Sequence, residues 1–296
     1  MLVNLNGQLV PKEKAVVSVF DHGVLYGDGV FEGVRAYNGR VFRLSQHLER
    51  LYDSAKAILL TPPLPLEAMR KQVLRTLAAN KLKDAYIRPV FTRGVGDLGL
   101  SPANCSMPTY FIITDLIRLY PDKYYREGLP LITVPTRRNV AEALSPKIKS
   151  LNYLNNILAK VEATQRGAQE AIMLTQDGYV AECTADNLFI LRKGRLLTPP
   201  AWQGALEGVT RAVVLELAAK RRLRTAEEPM TRYDVYTADE AFMTGTAAEI
   251  VPVISLDGRS IGKGKPGAVT QRMIADFKAL VRREGDRIPK TAGARP

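Results

Sequence analysis

The sequence predicts a mixed α/β (α+β) protein built from two domains. Segments with helical spacing of apolar residues alternate with short strand patterns along all 296 residues. Many strands are joined by tight turns, which does not fit a regular strand–helix–strand repeat. A stretch rich in proline, tyrosine and charge, 118–128, interrupts the pattern and is the expected linker. We therefore predict a small N-terminal α/β domain over 1–117 and a larger, β-rich α/β domain over 129–296 that ends in a basic tail.

In the N-terminal domain, strands are expected at 2–10, around the turn pair Asn6-Gly7, and at 14–20. A second hairpin is expected at 34–44, around Asn38-Gly39. Helices are predicted where apolar residues recur on one face, at 45–59 and 66–81. The residues that set this spacing are Leu48, Leu51, Ala55, Ile58 and Leu59, then Leu66, Met69, Val73 and Leu77. Strands at 84–93 and 108–117 complete the domain.

The C-terminal domain is expected to begin with a strand at 130–135 and a loop at 136–149. A helix follows from about 151 to 166 and ends at Gly167, since glycine readily terminates helices. The remaining expected elements are strands near 170–175, 179–183 and 187–192, a helix at 209–222, strands near 240–244 and 249–255, and a final helix at 267–283.

Composition argues against several classes of protein. Hydrophobic residues make up 46% and charged residues 24%, which is ordinary for a globular protein. Two cysteines, two histidines and no C-x-x-C pair argue against a disulfide scaffold, a zinc site or a histidine-rich metal site. The N-terminus lacks the layout of a signal peptide, and no apolar run is long enough to span a bilayer. A cytoplasmic protein is expected.

The net charge of +12 raises the question of nucleic-acid binding. A third of the excess positive charge lies at the C-terminal end. From residue 278 onward there are two acidic residues, Glu284 and Asp286, and six basic residues, which are Lys278, Arg282, Arg283, Arg287, Lys290 and Arg295. No basic stripe interleaved with aromatic residues occurs elsewhere. A solvated basic surface explains the charge better than a nucleic-acid interface does.

Three segments could carry chemistry. The segment 26–33 (YGDGVFEG) is rich in glycine, but it does not have the spacing of a dinucleotide-binding motif, because Glu32 stands where that motif requires glycine. The segment is either a turn or a stretch of backbone that lies close to a ligand. The segments 206–211 (LEGVTR) and 244–248 (TGTAA) could each cap or turn the chain, or bind an anion through backbone N–H groups. Lys149 precedes a predicted helix, but no spacing distinguishes it from the other basic residues.

Taken together, these segments resemble the branched-chain aminotransferases of class IV, which have the pyridoxal-phosphate (PLP) fold type IV. The resemblance covers nearly the whole chain. It rests on FEGVRAY at 31–37, VFRLSQHLERLYDSAK at 41–56, YIRP at 86–89, KSLNYL at 149–154, Glu182 in AECTADN, GVTR at 208–211 and TGTAAEI at 244–250. Each motif is weak alone, and their shared order makes the resemblance specific.

The resemblance implies a PLP cofactor held as a Schiff base by Lys149, whose amine then moves the substrate proton. Lys147 is the alternative lysine. Glu182 is implied to pair with the pyridine nitrogen, which keeps the ring protonated. The other implied cofactor residues are Tyr153 for the phenolic oxygen and Arg50, Val209, Thr210 and Thr246 for the 5′-phosphate.

The resemblance also implies transamination of leucine, isoleucine and valine with 2-oxoglutarate, in a ping-pong mechanism. The implied substrate residues are Tyr26, Phe31, Gly33, Arg35, Tyr86, Arg88, Ala247 and Ala248. Among them, Arg88 and Tyr86 would bind the distal carboxylate of glutamate, and the backbone of Ala247 and Ala248 its α-carboxylate. At least a homodimer is implied, with Tyr26 and the loop around Leu100 reaching the partner subunit.

Two points stay open at this stage. Arg93 departs from the family pattern and is expected to add a cation near the pocket, and any of Tyr120, Tyr124 and Tyr125 could supply the family's interdomain tyrosine. The alternative activities within class IV are those of enzymes that act on D-amino acids, (R)-amines or aminodeoxychorismate. The alternative outside the aminotransferases is a protein that binds anions or nucleic acid. The FEGVR, YIRP and TGTAAEI motifs favour the branched-chain enzymes.

Overall fold

A computed structural model describes residues 1–117 and 119–289, and its contacts divide them into two compact units. The first unit contains Met1–Ile117, Ile148–Asn152 and, at the C-terminal end of the described residues, 281–289. The second contains the segment that ends at Lys147, together with Tyr153–Leu280. The sequence-based domain limits remain a prediction. Arg118 of the expected linker, and Lys290 and Arg295 of the basic tail, lie outside the described residues.

The helices and strands of the described residues have the following bounds. The helices are α1 (His22–Leu25), α2 (Leu44–Ala57), α3 (Leu66–Ala79), α4 (Asp122–Glu127), α5 (Leu154–Gln165), α6 (Val209–Lys220), α7 (Arg232–Tyr236) and α8 (Ala268–Val281). The strands are β1 (Leu2–Leu5), β2 (Gln8–Pro11), β3 (Gly29–Phe31), β4 (Val34–Tyr37), β5 (Arg40–Val41), β6 (Ala85–Thr92), β7 (Thr109–Asp115), β8 (Leu129–Thr133), β9 (Ala171–Leu174), β10 (Val180–Cys183), β11 (Asn187–Arg192), β12 (Arg195–Thr198), β13 (Arg224–Glu227), β14 (Glu240–Gly245), β15 (Glu249–Leu256), β16 (Arg259–Ser260) and β17 (Asp286–Arg287).

The first unit is built on an antiparallel sheet with the order β17-β5-β4-β6-β7-β1-β2, and β3 pairs with β6. Helices α2 and α3 pack on this sheet through apolar faces. Their buried residues include Leu48, Leu51, Met69 and Val73. The expectation that Leu59 belongs to the buried face is wrong, because α2 ends at Ala57 and Leu59, with φ of 52°, is 86% exposed. Each large apolar side chain that is fully buried stabilises the fold by about 1.5–3 kcal/mol relative to exposure. The amphipathic spacing of α2 and α3 therefore fixes which helix faces cover the sheet.

The second unit is built on a mixed sheet with the order β10-β9-β8-β15-β14-β11-β12-β13, and β16 pairs with β15. The strands on either side of the β10–β11 connection are almost completely buried, and a core cluster extends from Tyr120 to Ile261. Strand β10 lies at one end of this order, pairs with β9, and is joined to β11 by three residues, 184–186. This matters because β10 carries Glu182.

Both predicted Asn-Gly turns form. Asn6 and Gly7 have φ of 48° and 85°, and Asn38 and Gly39 have φ of 48° and 77°. Two successive left-handed residues match the twist of an antiparallel hairpin, and Asn-Gly adopts them at low cost. The turns therefore fix the registers of β1 with β2 and of β4 with β5.

The strand expected at 14–20 is wrong. Lys12–Lys14 form a single 3-10 turn, and a turn at Ser18 follows. The Ser18 hydroxyl accepts from the N–H of Phe20 and its carbonyl from that of Asp21, which diverts the backbone from strand pairing. Val16 and Val19 are each 72% exposed.

The linker expected at 118–128 contains structure as well. Pro121 leads into α4, which suits a residue with a fixed φ, and the chain leaves the helix at Gly128 with φ of 92°. Tyr120 is buried in the core of the second unit, with Tyr124 and Tyr125 packed partly against that core. The helix predicted from 151 begins three residues later, at Leu154. In the part of the chain that the structure describes, no helix has the length and hydropathy to cross a bilayer.

Candidate active site

The segment that carries Lys149 is held against β3 in the first unit. The N–H of Phe31 donates to the Lys149 carbonyl at 2.9 Å, and the N–H of Leu151 donates to the Gly29 carbonyl at 2.9 Å. The N–H of Lys149 donates to the Ser54 hydroxyl at 3.2 Å. A Cβ on Gly29 would lie 2.5 Å from the Phe91 carbonyl oxygen, so only glycine permits this packing. The lysine backbone is thus fixed on both sides.

One aromatic ring connects the predicted lysine with the predicted substrate cation. The Lys149 Nζ lies 4.7 Å from the centroid of the Phe31 ring, and the Arg88 guanidinium lies 4.4 Å from it. The Arg88 Nη2 donates to the Tyr86 hydroxyl at 2.8 Å. The Arg88 Nε is buried and has no hydrogen-bond partner among the described residues. A buried, unpaired guanidinium N–H is costly, so Arg88 fits a site that receives an anionic ligand.

Gly33 is required beside this group of residues. A Cβ at position 33 would lie 2.0 Å from the Tyr86 hydroxyl oxygen, so the tyrosine could not keep its place next to a larger residue. Arg35 follows on β4, opposite Tyr86 in register, and its guanidinium lies 5.0 Å from the Tyr37 ring centroid. The first unit therefore brings together Phe31, Gly33, Tyr86, Arg88 and Lys149, five of the predicted residues.

Arg50 is held by Glu32, a residue to which the sequence analysis assigned no role. The Arg50 Nε and Nη2 donate to the two Glu32 carboxylate oxygens at 2.6 and 2.9 Å, and the His47 Nδ1 lies 2.8 Å from Oε2. Burial alone raises the Glu32 pKa, but Arg50 and His47 outweigh it and hold the pKa far below its usual range. Burial lowers the pKa of His47, so the neutral ring donates its Nδ1–H to Glu32. Arg50 is thereby fixed in orientation.

Tyr26 and Arg93, also in the first unit, bond to other residues. The Tyr26 hydroxyl donates to the Leu98 carbonyl at 2.5 Å, and its ring meets that of His22 edge-on. Arg93 does not supply an extra pocket cation, so that expectation is wrong. Its guanidinium donates to both Asp28 carboxylate oxygens, at 2.8 and 3.0 Å, and to the Ile58 and Leu59 carbonyls. All of these bonds tie the end of α2 to the 26–33 segment.

In the second unit, Glu182 is the centre of a buried polar network. One carboxylate oxygen accepts from the Arg138 Nη2 at 2.7 Å, and the other from the Asn187 Nδ2 and the Leu206 N–H at 3.0 Å each. Arg138 also donates to Asn156 and to the Gly204 carbonyl. The network holds Glu182 as a carboxylate in one orientation, which suits a partner for a protonated ring nitrogen. No sequence pattern points to Arg138, which lies in a loop 44 residues before Glu182.

Two backbone features of the second unit could bind an anion. Helix α6 begins at Val209 after Gly208, and no described residue accepts from the backbone N–H groups of Val209 and Thr210. A Cβ on Gly208 would lie 2.0 Å from the Asn187 side-chain oxygen, so the helix start is packed closely against β11. Such a helix terminus attracts anions. Arg211 is directed elsewhere, toward Glu227 and the Pro199 carbonyl.

The second feature is the turn at 245–248 that joins β14 to β15 and carries Thr246, Ala247 and Ala248. The hydroxyl of Thr244, at its entry, is buried and has no partner among the described residues. Unpaired buried polar groups are rare and point to a missing ligand or water. Tyr153 immediately precedes α5, and its carbonyl accepts from the Ile157 N–H.

Lys147 and Lys149 differ in their surroundings. Lys147 is exposed and its Nζ lies 2.8 Å from a Glu207 carboxylate oxygen. It belongs to the second unit, whereas Lys149 belongs to the first. The Lys147 side chain therefore forms an exposed ion pair, and the Lys149 Nζ lies over the Phe31 ring.

Comparisons with known proteins show the family of the chain. The family model for class IV amino-transferases matches residues 29–256. A Methanocaldococcus jannaschii protein, whose name assigns it provisionally to the branched-chain-amino-acid aminotransferases, is 51% identical over 280 residues, 95% of this chain and 96% of its own. Among solved structures, the chain is similar to the branched-chain amino acid aminotransferase of Escherichia coli, with a TM-score of 0.92, 34% identity and coverage of 95% and 94% of the two chains.

The chain is also similar to the T.th. branched-chain amino acid aminotransferase in complex with N-(5'-phosphopyridoxyl)-L-glutamate. There the TM-score is 0.89 and the identity 36%, with coverage of 95% and 93%. These likenesses confirm the predicted fold class. The chain belongs to the class IV aminotransferases and, within them, to the branched-chain-amino-acid aminotransferases.

Proposed function

We propose that this protein transfers the amino group of leucine, isoleucine and valine to 2-oxoglutarate by a ping-pong mechanism, with PLP bound to Lys149. The observation that carries the proposal is the shared packing of Lys149 and Arg88 on the Phe31 ring, at 4.7 and 4.4 Å. A nucleophilic amine and a carboxylate-binding cation beside one apolar ring are what a pocket needs to accept a branched side chain and then glutamate. The phosphopyridoxyl-glutamate complex of the T.th. relative supports both the cofactor and the second substrate.

The residues of the chain fit PLP by their chemistry. Glu182 would pair with the ring nitrogen, and Tyr153 with the phenolic oxygen. The N–H groups of Val209 and Thr210, the Thr246 hydroxyl and the Arg50 guanidinium would take the phosphate. The bound cofactor supplies an electron sink for the carbanion at the substrate Cα. Lys149 then has two tasks of its own, to hold the cofactor and to carry the proton from Cα as a general base.

The substrate residues would divide the work between side chains and backbone. Phe31 and Tyr26 would pack against the branched side chain, beside Gly33, which leaves space for Tyr86. Arg88, supported by the hydroxyl of Tyr86, would pair with the distal carboxylate of glutamate. The N–H groups of Ala247 and Ala248 would take the α-carboxylate, with Arg35 as an additional cation.

We also propose a homodimer. The first unit exposes apolar side chains that a monomer would leave in water, among them Val16, Val19, Phe20, Leu98 and Leu100. Apolar surface of this kind is typical of protein interfaces. Light scattering on the purified protein would measure the mass, and a monomer at micromolar concentration would contradict the proposal. The expected cytoplasmic location and the absence of nucleic-acid binding remain predictions.

The central test is the identity of the lysine that binds PLP. We expect a visible absorption band and, after reduction with borohydride, a cofactor adduct on the peptide that contains Lys149. Lys149→Ala should lose the band and the activity, and Lys147→Ala should keep both. An adduct on Lys147, or no uptake of added PLP, would refute the proposal. Coupled assays of L-leucine and D-alanine with 2-oxoglutarate then distinguish class IV activities, and faster turnover of D-alanine would favour the D-amino-acid alternative.

A further inference from the structure

A pair of buried carboxyl groups lies behind the 245–248 turn. Asp186, in the connection between β10 and β11, is 3% exposed, and Glu170, immediately before β9, is 1% exposed. The hydroxyl oxygen of Tyr120 is 3.1 Å from Glu170 Oε2 and 3.5 Å from Asp186 Oδ2. Two acidic groups thus share one phenol, and the proposed reaction assigns a role to neither.

The hydrogen bonds of Glu170 show that it is the ionised member of the pair. One of its oxygens accepts from the N–H groups of Ala171 and Thr184, at 2.9 Å each. The other accepts from the Lys160 Nζ at 3.1 Å and from the Tyr120 hydroxyl. Four donors, one of them a cation, therefore point at the two oxygens, and neither oxygen has, among the described residues, an acceptor to which a carboxyl proton could be donated.

The proton count at Tyr120 then constrains Asp186. A phenol has one hydrogen to donate. The shorter contact shows that the Tyr120 hydroxyl donates this hydrogen to the Glu170 carboxylate. The contact between the phenolic oxygen and Asp186 is favourable only when Asp186 carries a proton and donates it. The Asp186 carboxyl has no other hydrogen-bond partner among the described residues. A buried carboxylate without donors would be strongly disfavoured.

The charges around Asp186 agree with this count. Burial and the negative charge of Glu170 raise the pKa of Asp186 to about 7 and Glu182 adds to the increase, whereas the Lys160 ammonium and the contact with Tyr120 oppose it. Burial raises the pKa of the Cys183 thiol well above its usual value, so this neighbour stays neutral. Burial also raises the pKa of Tyr120. Asp186 is therefore the group of this cluster that can ionise within the physiological range.

The carboxyl of Asp186 lies directly against the start of the turn. A Cβ on Gly245 would be 1.9 Å from Asp186 Oδ1, so the acid packs on the turn backbone itself. The same turn carries Thr246, Ala247 and Ala248, the proposed donors to the cofactor phosphate and the substrate α-carboxylate. A negative charge behind donors of this kind repels the anions that they bind, whereas a neutral acid does not.

We propose that Asp186 is a positioning residue that acts in its protonated form behind the 245–248 turn, so that the turn can bind anions. Ionisation of Asp186 weakens the binding of PLP and of 2-oxo acids. This inference rests on the proposed function, because it requires the turn to be the anion site of that reaction.

The first test observes the proton directly, without any assay of activity. In the wild-type holoenzyme labelled with carbon-13 at the aspartate carboxyl carbon, we expect one resonance to titrate near neutral pH, far above the other aspartates. Asp186→Asn should remove that resonance. If every aspartate is already ionised at pH 6, the proposal is overturned, and this result needs only the wild-type protein.

The second test measures anion affinity against pH in the wild type and in Asp186→Asn, an uncharged side chain of the same shape. The readouts are PLP retained by the holoenzyme in equilibrium dialysis and KM for 2-oxoglutarate, with Asp177→Asn on the exposed β9–β10 turn as the matched control. We compare the affinity for PLP and for 2-oxoglutarate at pH 6 with that at pH 8.5. The loss of affinity over this range should be at least about five-fold larger in the wild type and in the control than in Asp186→Asn. Normal PLP uptake with equal pH dependence in all three proteins overturns the role of Asp186. No uptake at any pH contradicts the proposed function and, with it, the role of the turn.

Discussion

Arg138 is the residue whose removal should most clearly show how Glu182 is held. Its guanidinium donates to Glu182 at 2.7 Å, to Asn156 at 2.8 Å and to the Gly204 carbonyl at 2.9 Å, and the side chains of Arg138 and Glu182 are only 6% and 4% exposed. Arg138→Ala leaves the Glu182 charge in the interior with neutral donors from Asn187 and Leu206. Breaking a buried ion pair from one side typically costs about 3–5 kcal/mol.

The assay is unfolding of the purified protein by heat and by urea. A loss of about 3–5 kcal/mol corresponds to a fall in Tm of about 6–20 °C for a domain of this size. Arg138→Lys keeps the charge but cannot reach three acceptors at once, so it should lie between Ala and the wild type. Arg138→Met with Glu182→Gln removes both charges and should recover part of the loss, since no uncompensated ion remains.

The matched control is Arg195→Ala, which breaks the ion pair with Glu228 in the same unit, where both side chains are close to half exposed. Exposed pairs contribute about 0–1 kcal/mol, so this variant should be nearly as stable as the wild type. If Arg138→Ala and Arg195→Ala destabilise the protein equally, burial of the Arg138–Glu182 pair has no energetic consequence and the reasoning is refuted.

Three further predictions concern the first unit. Arg88→Gln should raise KM for 2-oxoglutarate by about 10–100-fold, which is the effect of losing a hydrogen bond to a charged group. It should raise KM for the 2-oxo acid of leucine much less, because that substrate has no distal carboxylate. Equal effects on the two substrates would contradict the assignment of Arg88 to the distal carboxylate. Gly33→Ala places a methyl group 2.0 Å from the Tyr86 hydroxyl and should lower kcat/KM at least about tenfold, with little change in Tm if only the pocket adjusts. Because the pKa of Glu32 is depressed in the folded state, its contribution to stability is present above the ordinary value of 4.5 and is lost as pH falls below it. Urea unfolding of Glu32→Gln should therefore depend less on pH in that range than unfolding of the wild type.

Local patterns predicted the parts of the fold that local physics determines. Leu48 and Leu51 recur at helical spacing and lie on the buried face of α2, and the two Asn-Gly pairs form the turns that their conformational preferences favour. The strand predicted at 14–20 is wrong, also because of local hydrogen bonds. Its valines favour a strand, but the hydrogen bonds that Ser18 accepts turn the backbone. A prediction from residue propensities alone does not take these hydrogen bonds into account.

Residues that act through distant partners could not be found in this way. Glu32 contacts Arg50 18 residues later, and Arg138 contacts Glu182 44 residues later, across separate elements. Periodicity reports which face of an element is buried, and it carries no information about which charges meet inside. The family resemblance named Arg50 and Glu182 but not the groups that orient them. The structure supplies these partners, and with them the reason that two charged side chains can be fixed in the interior.

The choice of Lys149 over Lys147 shows how the two kinds of information combine. Composition and spacing treat the two lysines alike, and resemblance alone prefers one by its position in a motif. The structure adds a second argument, because a lysine that must hold a cofactor in one place needs a backbone that is itself held in one place. Lys147 is exposed and paired with Glu207, whereas the chain around Lys149 is bonded to β3 and α2 and presents the amine to Phe31. A fixed backbone with a side chain directed at an aromatic ring suits a group that must meet the cofactor and the substrate in the same place at every turnover.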